Sequence, residues 1–223
     1  MHNSKVEVEG FILKINSEDK TELPFINYLS NKRQEIIHNY VFYGDKHRCL
    51  WSGLLTRKIL EERTGITLIT QEYVLDMYGK PRLANSSISF NISHSAKRVL
   101  LCCSDKTEVG VDVEIIEDAP LQVMKYLFHN NEIAYVQSGN VYDKDKRFYE
   151  IWTRKEAYAK CIGKGLCEDL KEFDTKEESV DKHFITWEQD GYCFSIYLKD
   201  ILETHITTVE QRELEQFYCG LTN

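Results

Sequence analysis

Apolar and polar residues alternate along 5–15, KVEVEGFILKI, which predicts a first strand with a bulge at Gly10. The period then lengthens. Leu29–Tyr43 has Ser30 near its start and an apolar stripe of Ile36, Ile37 and Tyr40, the pattern of a capped helix. Leu50–Thr64 predicts a second helix that turns Leu54, Leu55, Ile59 and Leu60 to a core and stops at Gly65. Residues 66–77 read as a short strand and turn, and YGKPRL at 78–83 as a loop broken by Gly79 and Pro81. Three short strands follow, Ile88–Ser93, Arg98–Ser104 and Val109–Ile115, with His94–Lys97 turning between the first two. Beyond a polar joint at Glu117–Pro120, Val123–Leu127 and Glu132–Gln137 predict short helices. Phe148–Ile162 predicts a long helix ending at Gly163. Phe184–Trp187 and Tyr192–Leu198 form a predicted hairpin around Asp190-Gly191. The last twenty residues alternate weakly and then turn polar.

The order strand, helices, strands occurs twice, which predicts an α+β protein rather than regular βαβ alternation. There is no GxGxxG after the first strand and no GxxxxGK[ST]. A chain of 223 residues, 42% hydrophobic and 29% charged, is long enough for one large domain or two small ones and is not a disordered tail or coiled coil. No apolar run approaches the roughly 18 residues of a membrane span, and MHNSKVEVEG lacks an apolar leader. Both point to the cytoplasm and to no membrane. Seven cysteines without a CxxC or zinc-finger spacing read as reduced thiols.

The net charge of -8 argues against nucleic acid as a partner. The total hides an asymmetry. Residues 28–107 hold 12 basic and 7 acidic side chains, while residues 161–223 hold 6 and 14. The first half therefore attracts anions, unless this is only a mixed surface.

Three segments carry candidate chemistry. In GVDVE at 110–114, strand alternation puts Asp112 and Glu114 on one face and Val111, Val113 and Ile115 on the other. Two carboxylates on an apolar strand repel each other and resist desolvation, and magnesium offsets both costs. An edge strand with two solvated acids, or an acid–base pair, fits the same letters. In IWTRKEAYAKCIGKG at 151–165, Trp152, Glu156 and Lys160 share one helix stripe. Glu156 is a candidate third metal ligand, and Lys160 a candidate for holding phosphate or a proton. The alternative is a surface Glu–Lys pair. In SFNISHS at 89–95, Ser93 and His94 are candidate phosphate donors, with Lys97 and Arg98 nearby, or else Asn91 and Ser93 satisfy turn amides.

These segments together resemble the 4'-phosphopantetheinyl transferase superfamily, in particular its two-lobed class. FNISHS at 90–95, GVDVE at 110–114 and WTRKEAYAKCIGKG at 152–165 stand in the family's order. The resemblance implies two similar α+β lobes related by a pseudo-twofold axis, residues 1–108 and 109–223, with the tail returning to the first lobe. It implies a cleft between them for coenzyme A. Asp112, Glu114 and Glu156 resemble its magnesium ligands, with manganese also accepted by such oxygens. Lys160 resembles the lysine near the pyrophosphate and the reacting hydroxyl, and Ser93 and His94 resemble phosphate contacts. Lys80 and Pro81 match a GKP loop beside the adenine nucleotide. Arg48, in KHRCLWSG, matches an arginine on the 3'-phosphate, and Lys32 a basic residue before it. Glu35 departs from the base that some members carry three residues beyond that lysine.

The implied reaction is magnesium-dependent transfer of 4'-phosphopantetheine from coenzyme A to a serine of an apo acyl, peptidyl or aryl carrier protein. The residues with catalytic roles would be Asp112, Glu156 and Lys160, in a monomer whose carrier docks near residues 115–150. Either Glu156 or Lys160 would handle the serine proton. Two rivals remain at this level: a non-catalytic carrier-binding relative, and another magnesium-dependent phosphotransferase acting on a nucleotide.

Overall fold

A computed structural model of the protein describes residues 7–16, 23–163 and 169–221. The beginning of the first expected strand and the Lys164-Gly165 end of the helical motif lie outside them.

Two sheets meet face to face, and each carries a long helix on its outer side. In the first sheet, β1 (Val8–Lys14) lies antiparallel to β5 (Arg98–Ser104) and parallel to β9 (Thr204–Glu210). β4 (Ser89–Ser95) completes it beyond β5. Leu13, Val99, Leu101 and Cys103 turn outward to α2 (Tyr43–Thr64), where they pack with Leu50, Trp51, Leu54 and Leu55. The alternate residues Val8, Ile12, Leu100 and Cys102 turn inward and pack on the second sheet.

That second sheet has the order β6 (Val109–Ile115), β8 (Tyr192–Leu198), β7 (Phe184–Gln189). Its hairpin turns at Asp190-Gly191, both at positive φ, 53° and 79°. Val109, Val111 and Val113 face the first sheet. Gly110, Asp112 and Glu114 face the other way, toward α5 (Val141–Ile162). The close approach of α5 explains Gly110: an added Cβ would lie 2.0 Å from the Ala157 carbonyl oxygen. Both long helices are 22 residues. The result is an α+β fold of two similarly built sheet-and-helix lobes.

The lobes are stitched along β4 and β6, the neighbouring edge strands of the two sheets. Ser89, Asn91 and Ser95 on one face of β4 each accept an amide of β6 that lies 20 residues further along the chain, while Ser93 on the same face reaches the Asp112 carboxylate. Ser89 Oγ accepts from the Val109 amide at 3.2 Å, Asn91 Oδ1 from Val111 at 2.9 Å, and Ser95 Oγ from Ile115 at 3.2 Å. The constant offset shows that the strands run side by side in the same direction. Side chains of β4 thus take up three amides along the free edge of β6.

Several elements differ from the sequence pattern for readable reasons. α1 (Asn31–Asn39) is capped by Ser30 as expected but stops before Tyr40, because of its stripe only Ile37 is buried. α2 begins at Tyr43 rather than Leu50, and α5 at Val141 rather than Phe148, because their opening turns are largely polar. The Asn140 side chain accepts the Asp143 amide at the start of α5. The segment read as a loop contains β3 (Pro81–Leu83), paired with β2 (Tyr73–Leu75). The polar tail forms β9 and then α8 (Gln211–Gly220), whose buried Tyr218 donates its hydroxyl to the Leu54 carbonyl at 2.8 Å. Lys14 Cα pairs with Glu210 where β9 ends, and the Gln211 side chain accepts the Asn16 amide.

Asn91→Ala leaves the Val111 amide without its partner at the seam. The expected cost is about 1–3 kcal/mol of stability, read from the midpoint of urea unfolding.

Candidate active site

The polar face of β6 and one stripe of α5 enclose a cleft of about 330 Å³. Asp112 and Glu114 enter it from β6. Trp152, Glu156 and Lys160 enter from α5, spaced so that all three point to the same side. Ser93 and His94 form the wall from β4, and Arg33 and Ser52 close it from α1 and α2.

Asp112 is 2% exposed. Its Oδ1 accepts from Lys160 Nζ at 2.6 Å and from Ser93 Oγ at 2.8 Å, and Lys160 also reaches Ser93 at 3.0 Å. Lys160 therefore pairs across the cleft with Asp112 rather than along its own helix with Glu156. Ser95 Oγ donates to Glu114 Oε2 at 2.8 Å while accepting the Ile115 amide. The seam that joins the lobes thus also orients both acids of β6.

The site is crowded with carboxylates that resist ionising. Burial pushes Asp112 upward, against the pull of Lys160 and Ser93. Burial, and then the charge of Asp112, push Glu114 up to about 7. Burial and Asp112 likewise raise Glu156, with Lys160 opposing. Asp112 Oδ2 is buried and has no hydrogen-bond partner. An orphaned carboxylate oxygen beside two further acids is a donor set suited to a hard divalent cation. Among the described residues, no three acidic, histidine or cysteine side chains make a ready-built metal centre. The donors fit such an ion in kind, and side-chain adjustment must bring them together.

Positive charge gathers around His94. Burial lowers the proton affinity of His94, and the charges of Arg48, Arg33 and Lys160 lower it further. A neutral imidazole among three cations is an environment for an anion. Arg48 is steadied by Asp45 at 2.5 Å and donates to the Ala96 carbonyl at 3.4 Å.

Arg33 is the residue that sequence reading missed. It donates to the Cys49 carbonyl at 3.0 Å and to Ser52 Oγ at 2.8 Å. It lines both this cleft and an adjoining, more apolar one of about 530 Å³ that holds Lys32 and Pro81. The larger cleft is not the one with the acids; Arg33 and Ile92 are common to both. The available signal was Gly53 in KHRCLWSG. A Cβ there would lie 2.6 Å from Arg33 Nε, so the missing side chain makes room for the guanidinium.

The other expected site residues divide. Lys80 lines neither cleft; its ammonium is buried among acceptors. Arg98 is taken by Asp190 at 2.9 Å. Lys155, next to Glu156, turns away and pairs with the fully buried Glu132 at 2.9 Å.

Comparison with known proteins identifies the family. Residues 17–106 match the N-terminal 4'-phosphopantetheinyl transferase model, and residues 108–215 match that of the 4'-phosphopantetheinyl transferase superfamily. The chain is 33% identical over 215 residues to 4'-phosphopantetheinyl transferase gsp of Aneurinibacillus migulanus, covering 96% of this chain and 84% of that one. The chain belongs to the 4'-phosphopantetheinyl transferase superfamily. Similarity extends to 4'-phosphopantetheinyl transferase Sfp of Bacillus subtilis, 28% identical over 68% of each chain. It extends also to the L-aminoadipate-semialdehyde dehydrogenase-phosphopantetheinyl transferase of Rattus norvegicus, 28% identical over 70% of this chain and 56% of that one. This transferase is thus an enzyme that places phosphopantetheine on a carrier-protein serine. Among its described residues, no helix is long and apolar enough to cross a membrane.

The raised Glu114 gives a pH signature with a definite sign. An unfolded glutamate ionises near its ordinary value of 4.5 and this one, folded, at about 7, so the folded state binds the proton more tightly in between. Glu114 therefore withdraws stability as pH rises from about 4.5 to about 7. Without added metal, Glu114→Gln is expected to flatten that fall in the thermal midpoint relative to the native chain.

Proposed function

We propose that this transferase takes 4'-phosphopantetheine from coenzyme A, with magnesium held by Asp112, Glu114 and Glu156, and passes it to the serine of an apo acyl, peptidyl or aryl carrier domain. The observation that supports this best is the buried, unpartnered Asp112 Oδ2 beside two acids of raised proton affinity, in a cleft where Arg48, Arg33 and Lys160 surround His94 with positive charge. Magnesium, when bound, supplies positive charge to the pyrophosphate oxygens. Manganese fits the same oxygen donors.

The coenzyme would run from the acidic cleft past Arg33 into the larger apolar one. Ser93, His94 and Lys160 would hold the pyrophosphate. Arg48 and Lys32 would hold the 3'-phosphate, and Pro81 would flank the adenine. Glu35 contributes no cation there. The carrier serine oxygen attacks the phosphorus of the phosphopantetheinyl group. A new P–O bond forms, the bond to the second phosphate breaks, and 3',5'-adenosine bisphosphate leaves.

Of the two candidates for the serine proton, the geometry favours Glu156. Lys160 is an ammonium in contact with Asp112 and Ser93, suited to hold charge rather than accept a proton. Glu156 has a raised proton affinity, and Lys160 directs its ammonium to Asp112 and Ser93 instead. The carrier would dock beside the cleft near residues 115–150, where Tyr126 is 64% exposed. The reading includes a monomer working in the cytoplasm.

Native enzyme, coenzyme A, magnesium and a panel of apo carriers are expected to yield a carrier heavier by one phosphopantetheine, seen by intact mass. Asp112→Ala is expected to slow that transfer about 100-fold or more while the fold persists. Full activity of this variant at saturating magnesium would reject the metal role. Gly53→Ala tests Arg33. The new methyl meets Arg33 Nε and Leu29 Cδ2 and displaces the guanidinium, and the thermal midpoint of the variant checks that the fold is kept. The coenzyme KM is expected to rise roughly tenfold, about 1.4 kcal/mol, with kcat little changed.

A further inference from the structure

The family resemblance places Lys80 beside the nucleotide, but the turn that carries it sends its side chain into the protein. Asp76 Oδ1 accepts the amides of Tyr78 at 2.9 Å and Lys80 at 3.0 Å, and Gly79 adopts φ of 85°. This turn leaves Pro81 exposed on the rim of the larger cleft and Lys80 buried, 6% exposed.

The ammonium has three protons and three acceptors. Nζ donates to the Val109 carbonyl at 2.9 Å, to the Cys161 carbonyl at 3.2 Å and to Glu108 Oε2 at 3.2 Å. No N–H remains for a phosphate. Glu108 is itself fixed from other directions. It accepts two bonds from Arg82 Nη1, at 2.6 and 2.8 Å, and one from Ser89 Oγ at 3.0 Å.

Each partner belongs to a different part of the site. Val109 opens β6, which carries Asp112 and Glu114. Cys161 lies in the last turn of α5, directly after Lys160. Lys80 itself precedes Pro81 on the wall of the larger cleft. Carbonyls in a helix's last turn lack intrahelical partners, and a cation there is also favoured by the helix dipole. One buried charge thus connects the nucleotide side of the molecule to both elements of the acidic cleft.

We propose that Lys80 is a positioning residue, a strut that sets the spacing between the coenzyme cleft and the Asp112–Lys160 cluster, and is not a ligand of the coenzyme phosphates. The inference rests on the proposed transfer from coenzyme A. An arginine does not substitute, because a planar fork cannot direct its donors to three acceptors placed around a tetrahedral ammonium.

The test compares native enzyme with Lys80→Met, Lys80→Arg, Glu108→Gln and the Met/Gln double variant, using coenzyme A and an apo carrier. Absence of transfer by native enzyme across carriers would overturn the underlying reading, independently of Lys80. With native enzyme active, Lys80→Met is expected to lower kcat about tenfold or more while the coenzyme KM stays within about threefold. Amide hydrogen exchange over residues 159–163 is expected to accelerate, with α2 unchanged. Lys80→Arg fails to restore kcat, and the double variant is no worse than Lys80→Met, since the pair acts as a unit. A raised coenzyme KM with kcat retained would make Lys80 a phosphate ligand and overturn the strut. Native kcat with native exchange would overturn it also. If Lys80→Met does not fold, Glu108→Gln decides. Lower kcat with faster exchange at 159–163 supports the strut, and native values of both reject it.

Discussion

The structure depends on an edge strand that is completed by side chains. β6 is an edge of its own sheet, with β8 on one side and β4 of the other sheet on the other. Its outward amides then need partners. β4 supplies them with short polar side chains at every second position, while its other face, Phe90 and Ile92, packs under α2. A backbone ladder would have merged the sheets and closed the space. Short side chains join the strands and add hydroxyls that reach further, to Asp112 and Glu114. Lobe assembly and orientation of the acids are therefore one set of bonds.

That arrangement holds the acids where they are costly. Moving a carboxylate out of water is offset only by good partners, and Asp112 has a partner on one oxygen alone. Lys160 and Ser93 meet part of the demand, and the rest is directed at whatever enters the cleft. The upward shifts of Glu114 and Glu156 show the same imbalance. The free protein holds unfavourable electrostatics here, which a cation with phosphate oxygens, as proposed, would relieve. The acidic total of -8 does not conflict with an anionic coenzyme, since Arg33, Arg48 and Lys160 concentrate positive charge at His94.

What could be read from the chain follows from how local the signal is. The facing of Asp112 and Glu114 needs only the period of a strand, and that of Trp152, Glu156 and Lys160 only the period of a helix. These residues do line one cleft. Ser89, Asn91 and Ser95 also alternate visibly, but their partners lie in another strand 20 residues on, which local spacing does not reveal; for Asn91 the sequence alone offers turn amides instead. Polar beginnings hid the first turns of α2 and α5, since an apolar stripe marks a helix only where it is covered. Arg33 was not legible because its role depends on the gap left by Gly53 on a different helix.

The adjacent letters Lys155-Glu156 show how one helix serves two purposes. Successive residues on a helix diverge by about 100°, so neighbours in sequence face different surroundings. Glu156 faces the cleft. Lys155, 1% exposed, pairs with Glu132 and donates to the carbonyls of Leu170 and Phe173. Glu132 in turn accepts the amides of His129 and Thr175 and the Thr175 hydroxyl. Breaking such a buried pair costs about 3–5 kcal/mol, because the remaining charge is left uncompensated. The bond therefore fixes α5 against α4 (Asn130–Gln137) and the segment after α6 (Asp169–Glu172). Movement of the helix is resisted from behind, so Glu156 and Lys160 are presented to the cleft from a fixed backbone. The motif couples an anchor on one face to a cleft-lining stripe on the other.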